Sequence, residues 1–96
     1  MVTINGVHKR SGDVNNSLEL KILRGATQLT IAHDIGYTGI SEAGYPGSFS
    51  MNYLDSPNTT SSTTYKVQFR NEVNASAVDV QIGSSTSSIT LFEIGA

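Results

Sequence analysis

The stretch Leu18-Glu19-Leu20-Lys21-Ile22-Leu23-Arg24-Gly25-Ala26-Thr27-Gln28-Leu29-Thr30-Ile31 decides the fold. Leu18, Leu20 and Ile22 alternate with Glu19 and Lys21, and beyond Arg24-Gly25-Ala26-Thr27 the residues Leu29 and Ile31 alternate with Gln28 and Thr30. A period of two is that of a strand, whose successive side chains point to opposite faces. Two short alternating runs across a glycine-containing turn predict a hairpin. The rhythm recurs in Phe49, Met51 and Tyr53, in Tyr65, Val67 and Phe69, and in Val78, Val80 and Ile82. Each run has one apolar and one wet face, the pattern of antiparallel sheets. A weaker strand, Val2-Thr3-Ile4, opens the chain, with Gly6 bending or ending it. No window carries a capped helical stripe. The prediction is a single all-β domain over residues 1–96, an antiparallel β-sandwich of jelly-roll-like type.

Bulk composition narrows the function. A chain of 96 residues has room for one domain, and a core this small is marginal without disulfides, metals or oligomerisation. Cysteine is absent, so bridges and thiolate metal sites are excluded and association of copies is the support left. Net charge is −2 and charged residues make up 15%, against roughly 25% in ordinary soluble domains. That balance argues against nucleic acid, which is bound through clustered Lys and Arg, and against a polybasic membrane patch. No apolar run approaches the length of a membrane helix, and Met1-Val2-Thr3-Ile4-Asn5-Gly6 lacks the features of a signal peptide.

Three segments depart from simple alternation. The last predicted strand, about 87–94, points Ile89 and Leu91 one way and Phe92 and Ile94 the other. A strand apolar on both faces is covered on both, which predicts a central strand whose second face meets another subunit. The segment from Asp34 to Gly47 combines Tyr37 and Tyr45 with Gly36, Gly39, Gly44 and Gly47 and shows no strand pattern. Long loops in compact domains tend to be functional, and tyrosines beside an adaptable backbone suit protein or sugar recognition. Tyr37 and Tyr45 therefore either contact a partner or pack back on the sandwich. The polar segment 56–64 reads as an exposed connection with Pro57 setting its corner.

Phe49-Ser-Met-Asn-Tyr-Leu-Asp-Ser-Pro-Asn-Thr-Thr-Ser-Ser-Thr-Thr-Tyr-Lys-Val-Gln-Phe69, closed by Ser88-Ile-Thr-Leu-Phe-Glu-Ile-Gly-Ala96, resembles the C-terminal half of a β-rich module of marine phage tail-fibre-like structural proteins. The Tyr53-Leu54-Asp55-Ser56-Pro57 turn and the Ile89-Thr-Leu-Phe-Glu-Ile94 ending carry the likeness, which covers about 18–96. Modules of this kind resemble jelly rolls of the tumour-necrosis-factor or complement-head sort, which trimerise through their last strands. The resemblance implies a homotrimer with Ile89, Leu91, Phe92 and Ile94 as interface candidates. It also implies a place in a virion, made in the host cytoplasm beside other virion proteins, with a host surface glycan or protein as a contact. Such modules begin with a further strand or two ahead of the segment matching Val2 to Ile4, so the resemblance implies that residues 1–96 start inside the module, as a fragment, an internal start or a shortened form would.

No serine stands in a Gly-x-Ser-x-Gly elbow, and the acids are too scattered for a glycosidase pair. Asp13, Asp34, Glu42 and Asp55 lack the spacing of a Ca²⁺ loop. His8 and His33 with carboxylates make a weaker case for Zn²⁺, and His33, following Leu29 and Ile31, reads as packed on the core or at an interface. Three Asn-x-Ser/Thr sequons arise by chance in so Ser/Thr-rich a chain. The expectation is a non-enzymatic protein without cofactor or metal: an adhesive fibre head, or in the alternative a capsid decoration protein.

Overall fold

The computed structural model of the chain describes residues 1–10, 16–38, 46–72 and 77–94. These form β1 (Val2–Arg10), β2 (Asn16–Arg24), β3 (Thr27–Thr38), β4 (Pro46–Tyr53), β5 (Tyr65–Asn71), β6 (Val78–Val80) and β7 (Ser88–Leu91). All pairings are antiparallel. One sheet runs β4-β1-β6, with β7 also on β1, and the other runs β3-β2-β5. The two sheets make an antiparallel β-sandwich, as the alternation predicts. Leu18, Leu20 and Ile22 of β2 are buried, and Val2 and Ile4 of β1 pack on Ile22 from the other sheet. Leu29, Phe49, Met51, Tyr53, Tyr65 and Val67 close around this nucleus, the same residues that alternate in the sequence.

The opening strand is the organiser of its sheet, not its weakest member. It continues through Gly6 to Arg10 and pairs with β4 along one edge and with β6 and β7 along the other. Gly6 neither bends nor ends it. Gly6 stands opposite Phe49 in register, and a Cβ there would lie 2.4 Å from Phe49 Cζ. The glycine makes room for the ring, which covers the exposed backbone in return.

The 12 residues of β3 pair with only 9 of β2. The surplus is absorbed in three register shifts, at Asn16/Leu18, Leu18/Leu20 and Ile22/Leu23. Each β-bulge adds a residue and reverses which face the following side chains take. Asp34 (φ 56°) and Gly36 (φ 67°) occupy left-handed backbone within this irregular stretch. Broken alternation explains why the segment from Asp34 reads as loop: β3 extends to Thr38 and β4 begins at Pro46. Tyr45 lies outside the described residues, as does the side chain of Tyr37.

The end of the chain also differs from expectation. Strand β6 stops at Val80, where Gln81, Gly83 and Ser84 take positive φ and turn the chain. Strand β7 is shorter than predicted and pairs with β1 alone, so it is an edge strand, not a central one. The strand buried on both faces is β2. Its second face is covered by ion-paired polar side chains, which the hydrophobic pattern does not register.

Candidate functional site

Apolar exposure is concentrated where the chain ends its last strand. Leu91 is 55%, Phe92 53%, Ile94 64% and Leu54 65% exposed, with Ile89 at 45% close behind. Strand β7 places Leu91 opposite Val2 and Ile89 opposite Ile4, and the Phe92 N–H donates to the Met1 carbonyl. Leu91, Phe92 and Ile94 form one wall of a groove of about 760 Å³ whose other wall is Leu54 to Thr59. Of the four residues expected at a subunit interface, Leu91, Phe92 and Ile94 line this groove, Ile89 lines a separate cleft between the sheets, and all four are exposed in the protomer.

The wall at Leu54 to Thr59 is held by a part-buried polar anchor. Arg24, at the end of β2, donates from Nη1 to both oxygens of Asp55 at 2.8 and 2.9 Å, and the Tyr65 hydroxyl donates to Asp55 Oδ2 at 2.7 Å. Burial works to raise the Asp55 carboxyl, but Tyr65 and Arg24 outweigh it and hold the group below the usual range. The Tyr65 hydroxyl is pushed up by its bond to Asp55 and by burial. The Gly25 N–H donates to the Thr64 carbonyl, tying the far end of the segment to the hairpin turn.

A second opening lies between the sheets. Tyr65, Val67 and Phe69 of β5 face Val80 and Ile89 of the other sheet across a cleft of about 320 Å³, with Ile4 and Leu20 among its lining residues. Phe69 and Ile89 are about half exposed at its margin. The opposite flank is closed by contact of β3 with β4.

Polar groups converge on the outer face of the β3-β2-β5 sheet. Between Ala32, opposite Leu20, and Ile35, opposite Leu18, the bulged β3 sets His33 and Asp34 against Glu19 alone. His33 Nδ1 lies 2.5 Å from Glu72 Oε1 and 3.5 Å from Glu19 Oε2. Arg70, opposite Glu19 on β5, donates from Nε and Nη2 to its two oxygens at 2.9 Å each. Glu72 Oε2 accepts from the Asp34 N–H at 2.6 Å and from Ser17 Oγ at 3.2 Å. Glu19 is only 1% exposed, screened by its own partners instead of by depth. Arg70 holds the Glu19 carboxyl below the usual range against the effect of burial. The Asp34 N–H does the same for Glu72, with His33 and Ser17 adding to it.

His33 is thus not a core histidine. Leu29 faces the core, and the bulge between the partners of Ile22 and Leu23 turns Ile31 and His33 to the outer face beside Lys21 and Glu19. The other histidine does what was expected of His33. His8 is buried, and its ring occupies space that a Cβ on Gly36 or Gly47 would enter, at 2.4 and 2.8 Å. The two histidines are not in one cluster. Asp34 and Asp55 do not converge either, and Asp13 and Glu42 lie outside the described residues.

Burial lowers the His8 pKa below its ordinary value. The unfolded chain then binds more protons than the folded one below about pH 6.5. Stability therefore falls as pH drops from about 6.5 towards the depressed folded value, and this contribution is level below it. His8→Gln removes the titration. Urea midpoints measured at pH 7.5 and 5.5 are expected to fall less in that variant than in the unaltered protein. An equal fall in both would assign the pH response elsewhere.

Comparison with known protein families, curated proteins and solved structures gives no match to this chain.

Proposed function

We propose that the chain is a non-catalytic assembly module, a homotrimeric head of the phage tail-fibre type, whose copies meet along Leu91, Phe92, Ile94 and Leu54. The observation that supports this reading most is the clustering of those exposed side chains about one groove. Contiguous apolar exposure of this kind marks interaction surfaces, whereas single exposed apolar residues do not. The small core adds to it. Among the described residues, the buried apolar side chains are Val2, Ile4, Leu18, Leu20, Ile22 and Leu23, and burial of the exposed ridge between copies would supply what the protomer lacks. The non-catalytic reading draws on the acids: Glu19, Asp55 and Glu72 are all engaged by structural partners. In this reading the protein resides in the virion and contacts the host surface.

Phe92 is the sharpest probe. Light scattering of the purified chain is expected to give three times the protomer mass of 10.2 kDa. Phe92→Asp is expected to give monomer or aggregate, because a charge buried unpaired costs about 3–5 kcal/mol. A monodisperse monomer in the unaltered protein, or an intact trimer in the variant, would refute the interface. Host adsorption then separates the two virion roles. A trimer that neither binds host cells nor competes with infection would leave decoration of the particle as the role of the same surface.

A further inference from the structure

We propose that Glu19, His33 and Glu72 form a binding site for a divalent transition metal of the Zn²⁺ class, independent of the assembly surface. One ligand atom from each of the three lies within 4.8 Å of the other two. They come from β2, from the bulge of β3 and from the residue that follows β5, so an ion here would join all three strands of the sheet. The donor set decides the class. An imidazole nitrogen with two carboxylates suits Zn²⁺, whereas Ca²⁺ and Mg²⁺ take oxygen ligands.

The geometry is close to what such an ion needs. Bonds of about 2.0–2.2 Å in a tetrahedron put ligand atoms about 3.3 Å apart. Glu19 Oε2 already stands 3.5 Å from His33 Nδ1. Glu72 Oε1, at 2.5 Å from the same nitrogen, must move back by under an ångström, exchanging the hydrogen bond for the metal. Water fills the fourth position on the side where His33 is exposed.

Each carboxylate is also oriented from outside the ligand set. The Asp34 N–H and Ser17 Oγ both bind Glu72 Oε2, which leaves Oε1 aimed at His33. Arg70 holds Glu19 through one hydrogen bond per oxygen, and each carboxylate oxygen keeps a second lone pair. Outer partners that fix ligating carboxylates in this way are a regular part of metal sites. The bulge does the remaining work, since a regular β3 would not set two residues against Glu19.

The test is titration of the whole chain with Zn²⁺, followed by calorimetry and by ¹⁵N shifts of the histidine rings. The expected result is one ion per chain, with the His33 Nδ1 resonance moving and the His8 resonances still. His33→Ala and Glu72→Gln are each expected to weaken binding by about 10–100-fold or more, while His8→Gln leaves it unchanged. Ca²⁺ is expected not to compete. The ring shifts are read on the unaltered protein, so the result stands even where a variant folds poorly. No saturable binding at millimolar Zn²⁺, a shift at His8 instead of His33, or full affinity in folded His33→Ala would each overturn the proposal. Oligomeric state is not a readout here, so this site and the assembly surface fail separately.

Discussion

Ile22→Ala is expected to cost about 2–5 kcal/mol of folding stability, toward the upper end of that range. Ile22 is the one side chain of the nucleus with no exposure at all, and it meets Val2 and Ile4 from the facing sheet. Truncation removes apolar contact on both sides of the sandwich and leaves a cavity that two hydrogen-bonded sheets cannot close by moving. A domain of 96 residues holds about 5–14 kcal/mol in all, so the variant gives up a large share of it. In urea, with a slope of about 1–2 kcal/mol/M, the midpoint is expected to drop by about 2 M or more. Thr60→Ala, on an exposed connection, is the control and is expected to stay within about 0.5 kcal/mol of the unaltered protein. A loss at Ile22 below about 1 kcal/mol would mean that the nucleus lies elsewhere.

Gly36→Ala is expected to cost about 2–4 kcal/mol for two separable reasons. Gly36 has φ +67°, and a Cβ there would stand 2.4 Å from His8 Cε1. A side chain in left-handed backbone costs about 1 kcal/mol or more, and displacing a packed ring costs about 1–3 kcal/mol. Gly25 separates the two contributions. It has φ +57° but nothing within 4 Å of its would-be Cβ, so Gly25→Ala is expected to carry the backbone cost alone. Thermal unfolding of both variants, each also made in a His8→Ala background, closes the comparison. The excess cost at Gly36 is expected to vanish when the imidazole is gone, and its persistence would deny the contact.

The sequence discloses the sandwich because Leu18, Leu20, Ile22, Phe49, Met51, Tyr53, Tyr65 and Val67 all keep their parity, and parity is what burial selects. It also shows Ile89, Leu91, Phe92 and Ile94 as an apolar ending, which the protomer leaves exposed. It fails where a bulge intervenes. His33 shares parity with Leu29 in the chain yet faces outward in the fold, since Leu29 is itself the extra residue of a bulge between Gln28 and Thr30. Glu19 reads as wet from its neighbours Leu18 and Leu20, and only the registers with Arg70 and with the β3 bulge reveal that it is covered. Those registers join residues far apart in the chain, and no local pattern encodes them. The positive φ of Asp34 was equally hidden, although Asp is among the residues that tolerate it.

The central position of β1 bears on how the molecule is made. Strand β1 leaves the ribosome well before β7, yet it has Leu91 as the partner of Val2 and Ile89 as the partner of Ile4. At about 5–20 residues per second, translation keeps Val2 and Ile4 without those neighbours for roughly 5–20 s. The β2–β3 hairpin needs no such wait and can zip while the rest is being synthesised. Its sheet therefore offers a template on which the other condenses late, a sequence of events slow by the standards of local folds and open to capture by chaperones in the interval.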